Sequence, residues 1–188
     1  MRIISGSLKG KKLFEPKNKE TRPLKDLTKE SLFNILLHTN KFDTNIESSN
    51  VLDLFSGVGS FGLECLSRGS SFVTFVESYK EVTPILIKNI SNLNYKNSSL
   101  VIEKDIFKNL NFEIFNKKFD IIFMDPPYKE KNLSPLLKKI NTSKVLNNKG
   151  IIIIHRHAKE KDNFLDKFEI IEKKKYGISK IIFGKFLK

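Results

Sequence analysis

Val51-Leu52-Asp53-Leu54-Phe55-Ser56-Gly57-Val58-Gly59-Ser60-Phe61-Gly62 decides how the rest of the chain is read. Val51–Phe55 is a short apolar strand interrupted by one acid. Gly57, Gly59 and Gly62 follow as a G-x-G-x-x-G turn that opens a helix running to about Arg68. Glycines let the backbone turn tightly and let a ligand approach it, and the motif has meaning only after a strand and before a helix. Phe72–Val76 reads as the next strand, and Glu77 ends it twenty residues after Gly57. A carboxylate there can accept hydrogen bonds from both hydroxyls of a ribose. The combination predicts a site for an adenosine-containing cofactor. Tight strand–helix packing alone would explain the glycines but not the place of Glu77.

The strand–helix rhythm continues downstream. Lys80–Leu93 is a helix, Leu100–Glu103 a strand with a weak helix after it, and Phe119–Met124 a strand. Leu133–Ile140 is a helix, and Gly150–Ile154, Phe168–Ile171 and Lys180–Phe186 are strands. Lys173-Lys174-Lys175-Tyr176-Gly177 joins the last two and is short enough for a hairpin, so one of them is antiparallel. Lys173–Lys175 is expected to be a solvated turn. Such alternation predicts an α/β, Rossmann-like, doubly wound and mostly parallel sheet, with ligands at the carboxyl ends of its strands near the switch point. An amphipathic helix from Leu27 to His38 precedes the sheet, with Leu32, Ile35 and Leu36 facing inward. Residues 1–16 read as a small hairpin in which Arg2–Ile4 and Lys11–Phe14 flank a loop bounded by Gly6 and Gly10. Residues 1–26 are thus expected to be a basic extension on a domain spanning 27–188.

The chain has 188 residues, 39% of them hydrophobic, which suffices for one domain with a real core. No apolar run approaches the roughly 20 residues that span a bilayer, and the first residues are too few and too polar for a signal peptide. The single cysteine, Cys65, allows no internal disulfide and fits a cytoplasmic protein. It reads as a small core residue on a helix. The formal charge is +13. Residues 1–30 carry nine Lys/Arg against four Asp/Glu, and residues 155–188 carry ten against five. Basic ends around a near-neutral middle point to a polyanionic partner, although a chain so rich in Lys, Asn and Ile inflates lysine without any function. Arginine is scarcer: Arg2, Arg22, Arg68 and Arg156 are all there is, and two lie in the basic extension.

Asp125-Pro126-Pro127-Tyr128 follows the fourth strand. Neither proline has an N–H to extend a ladder, and each fixes its own φ. The turn therefore holds a carboxylate, a carbonyl and a ring in set positions, able to grip a flat group bearing an NH2. Two further acids separate the possible cofactors. A dinucleotide brings its pyrophosphate to the helix N-terminus, where Asp53 adds unwelcome charge. S-adenosylmethionine has no phosphate but carries an ammonium and a sulfonium, which Asp53 suits directly or through water. Asp105 can accept from an adenine amino group, or can cap a turn in Asp105-Ile106-Phe107.

In these features the chain resembles class I S-adenosylmethionine-dependent methyltransferases that act on exocyclic amines, and more narrowly the RsmD family. The resemblance covers the opening Arg2-Ile3-Ile4-Ser5-Gly6, Thr21-Arg22-Pro23, Lys29–Leu36, Asp53–Glu64 with Ser67-Arg68-Gly69, Glu77, Asp125–Tyr128 and Tyr176-Gly177. It departs at Leu24, where the family usually has a small polar residue, at Lys29, where Arg is frequent, and at His155-Arg156-His157, where relatives tend to be acidic. The resemblance implies transfer of a methyl group from S-adenosylmethionine to the N2 amine of a guanine in small-subunit (16S) ribosomal RNA, alone or within the subunit. It implies a cofactor site built from Asp53, Phe55, Ser56, Gly57, Gly59, Glu77, Ser78, Asp105 and Ile106, and catalysis at Asp125, Pro126, Pro127 and Tyr128. RNA contacts are expected at Arg2, Lys9, Lys11, Arg22 and Lys29, and no metal is expected. His155 and His157 read as structural or RNA-facing. The competing readings are an adenine-N6 methylase, which usually needs a recognition region this chain has no room for, a nicotinamide oxidoreductase, which Asp53 opposes, and a non-catalytic RNA-binding assembly protein, which Asp125 and Glu77 oppose.

Overall fold

The computed structural model describes residues 1–16, 26–108, 110–127, 130 and 133–187. Its strands are β1 (Asn50–Leu54), β2 (Phe72–Glu77), β3 (Ser99–Glu103), β4 (Phe119–Met124), β5 (Leu146–His157), β6 (Phe168–Tyr176) and β7 (Ser179–Phe186). They form one sheet in the order β3-β2-β1-β4-β5-β7-β6. β1 to β5 pair in parallel, and β7 runs antiparallel to both β5 and β6. The expected doubly wound sheet, with its last strand reversed, is the one observed. The order changes direction between β1 and β4, which sets the switch point there.

Helices α1 (Asp26–His38), α2 (Ser60–Ser67), α3 (Thr83–Asn92) and α4 (Leu133–Thr142) cover the sheet. The inner strands are buried on both faces, and alternate residues feed two separate cores. Val51, Ile121, Phe123, Ile151 and Ile153 join one core with α1, α2 and α3. Leu52, Leu54, Ile122, Met124, Ile152 and Ile154 join the other with α4. Phe61 anchors the first, with its ring centroid 5.3 Å from Phe33 and 4.0 Å from Phe123. Cys65 is fully buried and burial pushes its thiol pKa well up, as suits a core residue. Among the described residues no helix is long and apolar enough to cross a membrane.

The N-terminal hairpin closes through one antiparallel bridge, Arg2 to Lys12. Ile3 and Leu13 enter the same core as α1 and α2. Gly6 lies so close to the end of α2 that a Cβ there would sit 1.8 Å from the Ser67 carbonyl oxygen. Buried Asn89 of α3 ties the arm inward: its Oδ1 accepts from Phe14 N, and its Nδ2 donates to the carbonyls of Phe14 and Val58.

Two strands outrun their sequence-based bounds. Lys173–Lys175 is not a turn but part of β6, and the chain reverses at Gly177 and Ile178 instead. Pairing with β7 overrides the low strand preference of lysine, and an exposed row of lysines suits an edge strand. β5 continues through His155-Arg156-His157 because each pairs with β7, and because the polar side chains of His155 and Arg156 find partners within the fold.

Candidate active site

The register of the sheet brings the site together. Leu54 lies opposite Val76 on one side and Met124 on the other. Phe55, Glu77 and Asp125 therefore leave the sheet side by side. Phe55, Gly57 and Gly59 all take left-handed φ values, +60°, +54° and +87°, and swing the chain from β1 into α2. Ser56 pins this turn to β2: its Oγ donates to the Asp53 carbonyl and accepts from Val76 N at 3.0 Å. Gly57 N donates to Glu77 Oε2 at 2.7 Å, and the other Glu77 oxygen accepts from Ser78 N and Tyr79 N at 2.8 Å each.

The three glycines divide by role. A Cβ on Gly59 would lie 2.6 Å from Leu86 Cδ1, and one on Gly62 2.3 Å from Phe75 Cε1, so both serve packing. A Cβ on Gly57 would meet nothing within 4 Å. That side of Gly57 is open space, at the turn that leaves β1.

Asp53 is 1% exposed. Its Oδ2 accepts from Gly62 N at 2.9 Å and so fastens α2 to β1. Its Oδ1 is buried without a hydrogen-bond partner among the described residues. Burial pushes the Asp53 pKa well above the ordinary carboxyl value; the Gly62 N–H offsets part of that, and the charges of Asp125 and Glu77 raise it further. A buried carboxyl with an orphan oxygen, facing only like charge, fits a cationic group such as the ammonium of S-adenosylmethionine.

Asp105 takes the capping geometry, with Oδ1 accepting from Phe107 N at 2.9 Å and Lys108 N at 3.1 Å. Only Oδ2 is left to face a ligand, and Lys108 Nζ lies 4.0 Å from it. Ile106 is buried, Phe107 packs against Phe55 at 5.5 Å between ring centroids, and a cavity of about 250 Å³ opens between Ile106, Phe107 and α4. Ser78 is exposed at the rim.

Asp125 begins the turn that follows β4, and its N–H bonds to the Leu54 carbonyl at 3.3 Å. Its carboxylate is partly exposed, and Oδ1 lies 2.7 Å from Nδ1 of nearly buried His155. β4 ends with Met124 opposite Ile154. β5 runs on past that point, which sets His155 and Arg156 beside Asp125 and Pro127. The acidic–histidine pair was invisible in sequence, where thirty residues separate its members. Pro126 is buried and Pro127 exposed, while Tyr128 lies outside the described residues.

Arg2, Lys9 and Lys11 are exposed on the N-terminal arm. Arg22 lies outside the described residues. Lys29 requires correction: it is 0% exposed and does not reach the surface. Its Nζ donates to the Arg2 carbonyl at 2.7 Å and Ser60 Oγ at 3.3 Å, with Glu64 Oε2 3.4 Å away. Burial depresses the Lys29 pKa, and the Glu64 charge offsets only part of this. Lys29 is a buried brace between α1, α2 and the arm, not a phosphate contact. The buried residue that receives it, Glu64, also accepts from Ile4 N, Ser5 N and Arg68 Nε.

The family described as Conserved hypothetical protein 95 matches residues 1–185. YlbH of Bacillus subtilis is 32% identical over 181 residues, covering 95% of each chain. The ribosomal RNA small subunit methyltransferase D of Buchnera aphidicola subsp. Acyrthosiphon pisum is 32% identical over 158 residues, 84% of this chain and 78% of that one. Among solved structures, the Escherichia coli protein yhhF superposes with a TM-score of 0.82 at 25% identity, over 99% of this chain and 97% of that one.

Proposed function

This chain belongs to the RsmD family, and from that premise we propose that it transfers a methyl group from S-adenosylmethionine to the exocyclic N2 of a guanine in small-subunit ribosomal RNA. The observation that carries the reading is the convergence, at one switch point, of a cation seat at Asp53 with an amine clamp at Asp125. S-adenosylmethionine supplies the electrophilic methyl group when bound. Asp53 would receive its ammonium, directly or through water, Glu77 its ribose hydroxyls, and the open side of Gly57 would let it approach the backbone. Glu77 would then share the oxygen that accepts from Gly57 N. Oδ2 of Asp105 would take the adenine amine, and Phe55, Ser56, Ser78 and Ile106 would complete the site.

His155 holds one oxygen of Asp125, which leaves Oδ2 and the Pro126 carbonyl to accept the two N–H groups of the guanine amine. Accepting both favours a pyramidal nitrogen whose lone pair points along the line of attack. Positioning of this kind supplies much of the acceleration. Asp125 need not be a strong base, because the methylated ammonium sheds its proton readily, and the Asp125–His155 pair is placed to receive it. Tyr128 stacks on the base, a contact worth about 1–3 kcal/mol by alanine substitution. A guanine within a helix is first extruded, at a cost of a few kcal/mol. The test is transfer of label from methyl-labelled S-adenosylmethionine to small-subunit ribosomal RNA by purified protein. RNA left unlabelled both free and in the subunit would overturn the reading.

Asp53 makes a distinct prediction. In ligand-free protein its raised pKa contributes stability that is present below its ordinary value of 3.8 and is lost as pH rises through the folded value. Binding an ammonium favours the carboxylate, so cofactor binding is expected to release a proton and to tighten as pH rises. Calorimetry in buffers of different ionisation heat reads this directly. No proton release, or tighter binding of NAD than of S-adenosylmethionine, would contradict the assignment.

The exposed arm offers Arg2, Lys9 and Lys11 to RNA phosphates, and Arg22 is expected to join them. Each of Lys9→Ala and Lys11→Ala should weaken RNA binding and reduce the slope of log affinity against log salt by about 1. An unchanged slope removes that residue from the interface.

A further inference from the structure

We propose that Arg156 is the positioning residue that sets the geometry of the amine clamp. This rests on the methyltransferase reading and extends it to a side chain that does not touch substrate. Arg156 is 2% exposed, near the end of β5. Its Nη1 donates to the Pro127 carbonyl at 3.2 Å, and its Nη2 to the Glu130 carbonyl at 2.7 Å. These carbonyls lie on either side of Tyr128 in sequence. Its Nε donates to Asp162 Oδ1 at 2.9 Å, and Lys180 Nζ lies 2.6 Å from the other oxygen of Asp162.

Two features make this a device for orientation. Pro126 and Pro127 have no N–H to donate, so the turn braces itself through an acceptor, the Pro127 carbonyl, which takes Glu130 N at 2.9 Å. Arg156 adds donors from outside the turn, and its planar guanidinium holds the Pro127 and Glu130 carbonyls at once. The second feature is the charge balance. Arg156 and Lys180 are each 2% exposed and share the buried carboxylate of Asp162, with Glu160 Oε2 3.9 Å from Arg156 at the rim. Desolvating two cations around one carboxylate is a poor route to stability compared with apolar packing. The arrangement makes sense if the guanidinium is needed where its N–H groups point, at the acceptor loop.

The experiment compares Arg156→Lys with Lys180→Met. Lysine keeps the charge at 156 but cannot serve Asp162 and both carbonyls from one plane. Lys180→Met removes the other cation on Asp162 and leaves the loop contacts in place. Arg156→Lys is expected to lower kcat about 10- to 100-fold, as small misplacements of reacting groups do, with S-adenosylmethionine affinity within threefold of wild type. Lys180→Met is expected to lower the melting temperature while keeping kcat within threefold. If Arg156→Lys does not fold, Asp162→Asn, which loosens the anchor of the guanidinium, takes its place with an expected fall of about tenfold. Unchanged kcat in the folded position-156 or position-162 variant overturns the inference, as does an equal loss of kcat in Lys180→Met. Wild-type protein that transfers no methyl group would contradict the function itself, before any variant is compared.

Discussion

Asp125→Ala is expected to lower methyl transfer by about 10³-fold or more, within the range for losing a group that handles the reacting proton and orients its nitrogen. The substitution removes one of the two acceptors for the amine and leaves His155 without its carboxylate partner, 2.7 Å away. S-adenosylmethionine affinity should stay the same or rise. The Asp125 charge helps hold the Asp53 pKa up, so its loss makes Asp53 easier to ionise beside a cationic ligand. Single-turnover transfer and equilibrium cofactor binding, measured on the same preparation, separate these effects. A parallel loss of cofactor affinity would mean that Asp125 belongs to the cofactor site and not to the acceptor clamp.

Glu64→Ala is expected to cost about 3–5 kcal/mol of stability, the usual consequence of removing one partner from a buried ionic cluster. For a chain of this size that is a fall in melting temperature on the order of 10 °C. Glu64 is fully buried and receives Ile4 N at 2.8 Å, Ser5 N at 2.9 Å and Arg68 Nε at 2.9 Å. Its loss strands two main-chain N–H groups and two cations at once. The damage should be directional. Lys29 links this cluster to Ser60, the first residue of α2, so the N-terminal arm and the start of that helix should lose protection together. Hydrogen exchange at Ile4 and Ser5 rising well before exchange in β4 and β5 would show this. Exchange that rises equally across the sheet would instead mean that Glu64 supports the whole core.

The parts of the fold that follow from local pattern could be read from sequence. β4 keeps the bounds its apolar run implies, and β1, β2 and α2 fall within a residue or two, because burial on both faces leaves a near-continuous apolar run between turn residues. Polar residues with distant partners misled. His155-Arg156-His157 looks like the end of a strand until Asp125, Asp162 and β7 are seen beside it. Lys173–Lys175 looks like a turn until its pairing with β7 is known. Lys29 looks like a surface cation because its counter-charge, Glu64, is thirty-five residues away. The layout of the candidate site was legible where a local motif fixes position, as for Gly57, Glu77 and Asp125 at adjoining strand ends. It was not legible where position depends on a contact across the sheet, as for His155 with Asp125 and Arg156 with the Pro127 carbonyl.

On the proposed function, the clamp at Asp125 receives a guanine amine of small-subunit ribosomal RNA. Nucleoside mass spectrometry tests it most directly, after small-subunit RNA, free and in the subunit, is incubated with the protein and isotopically labelled S-adenosylmethionine. Label is expected in N2-methylguanosine, and none with the Asp125→Ala protein. Label in N6-methyladenosine, or equal label with and without Asp125, would contradict it.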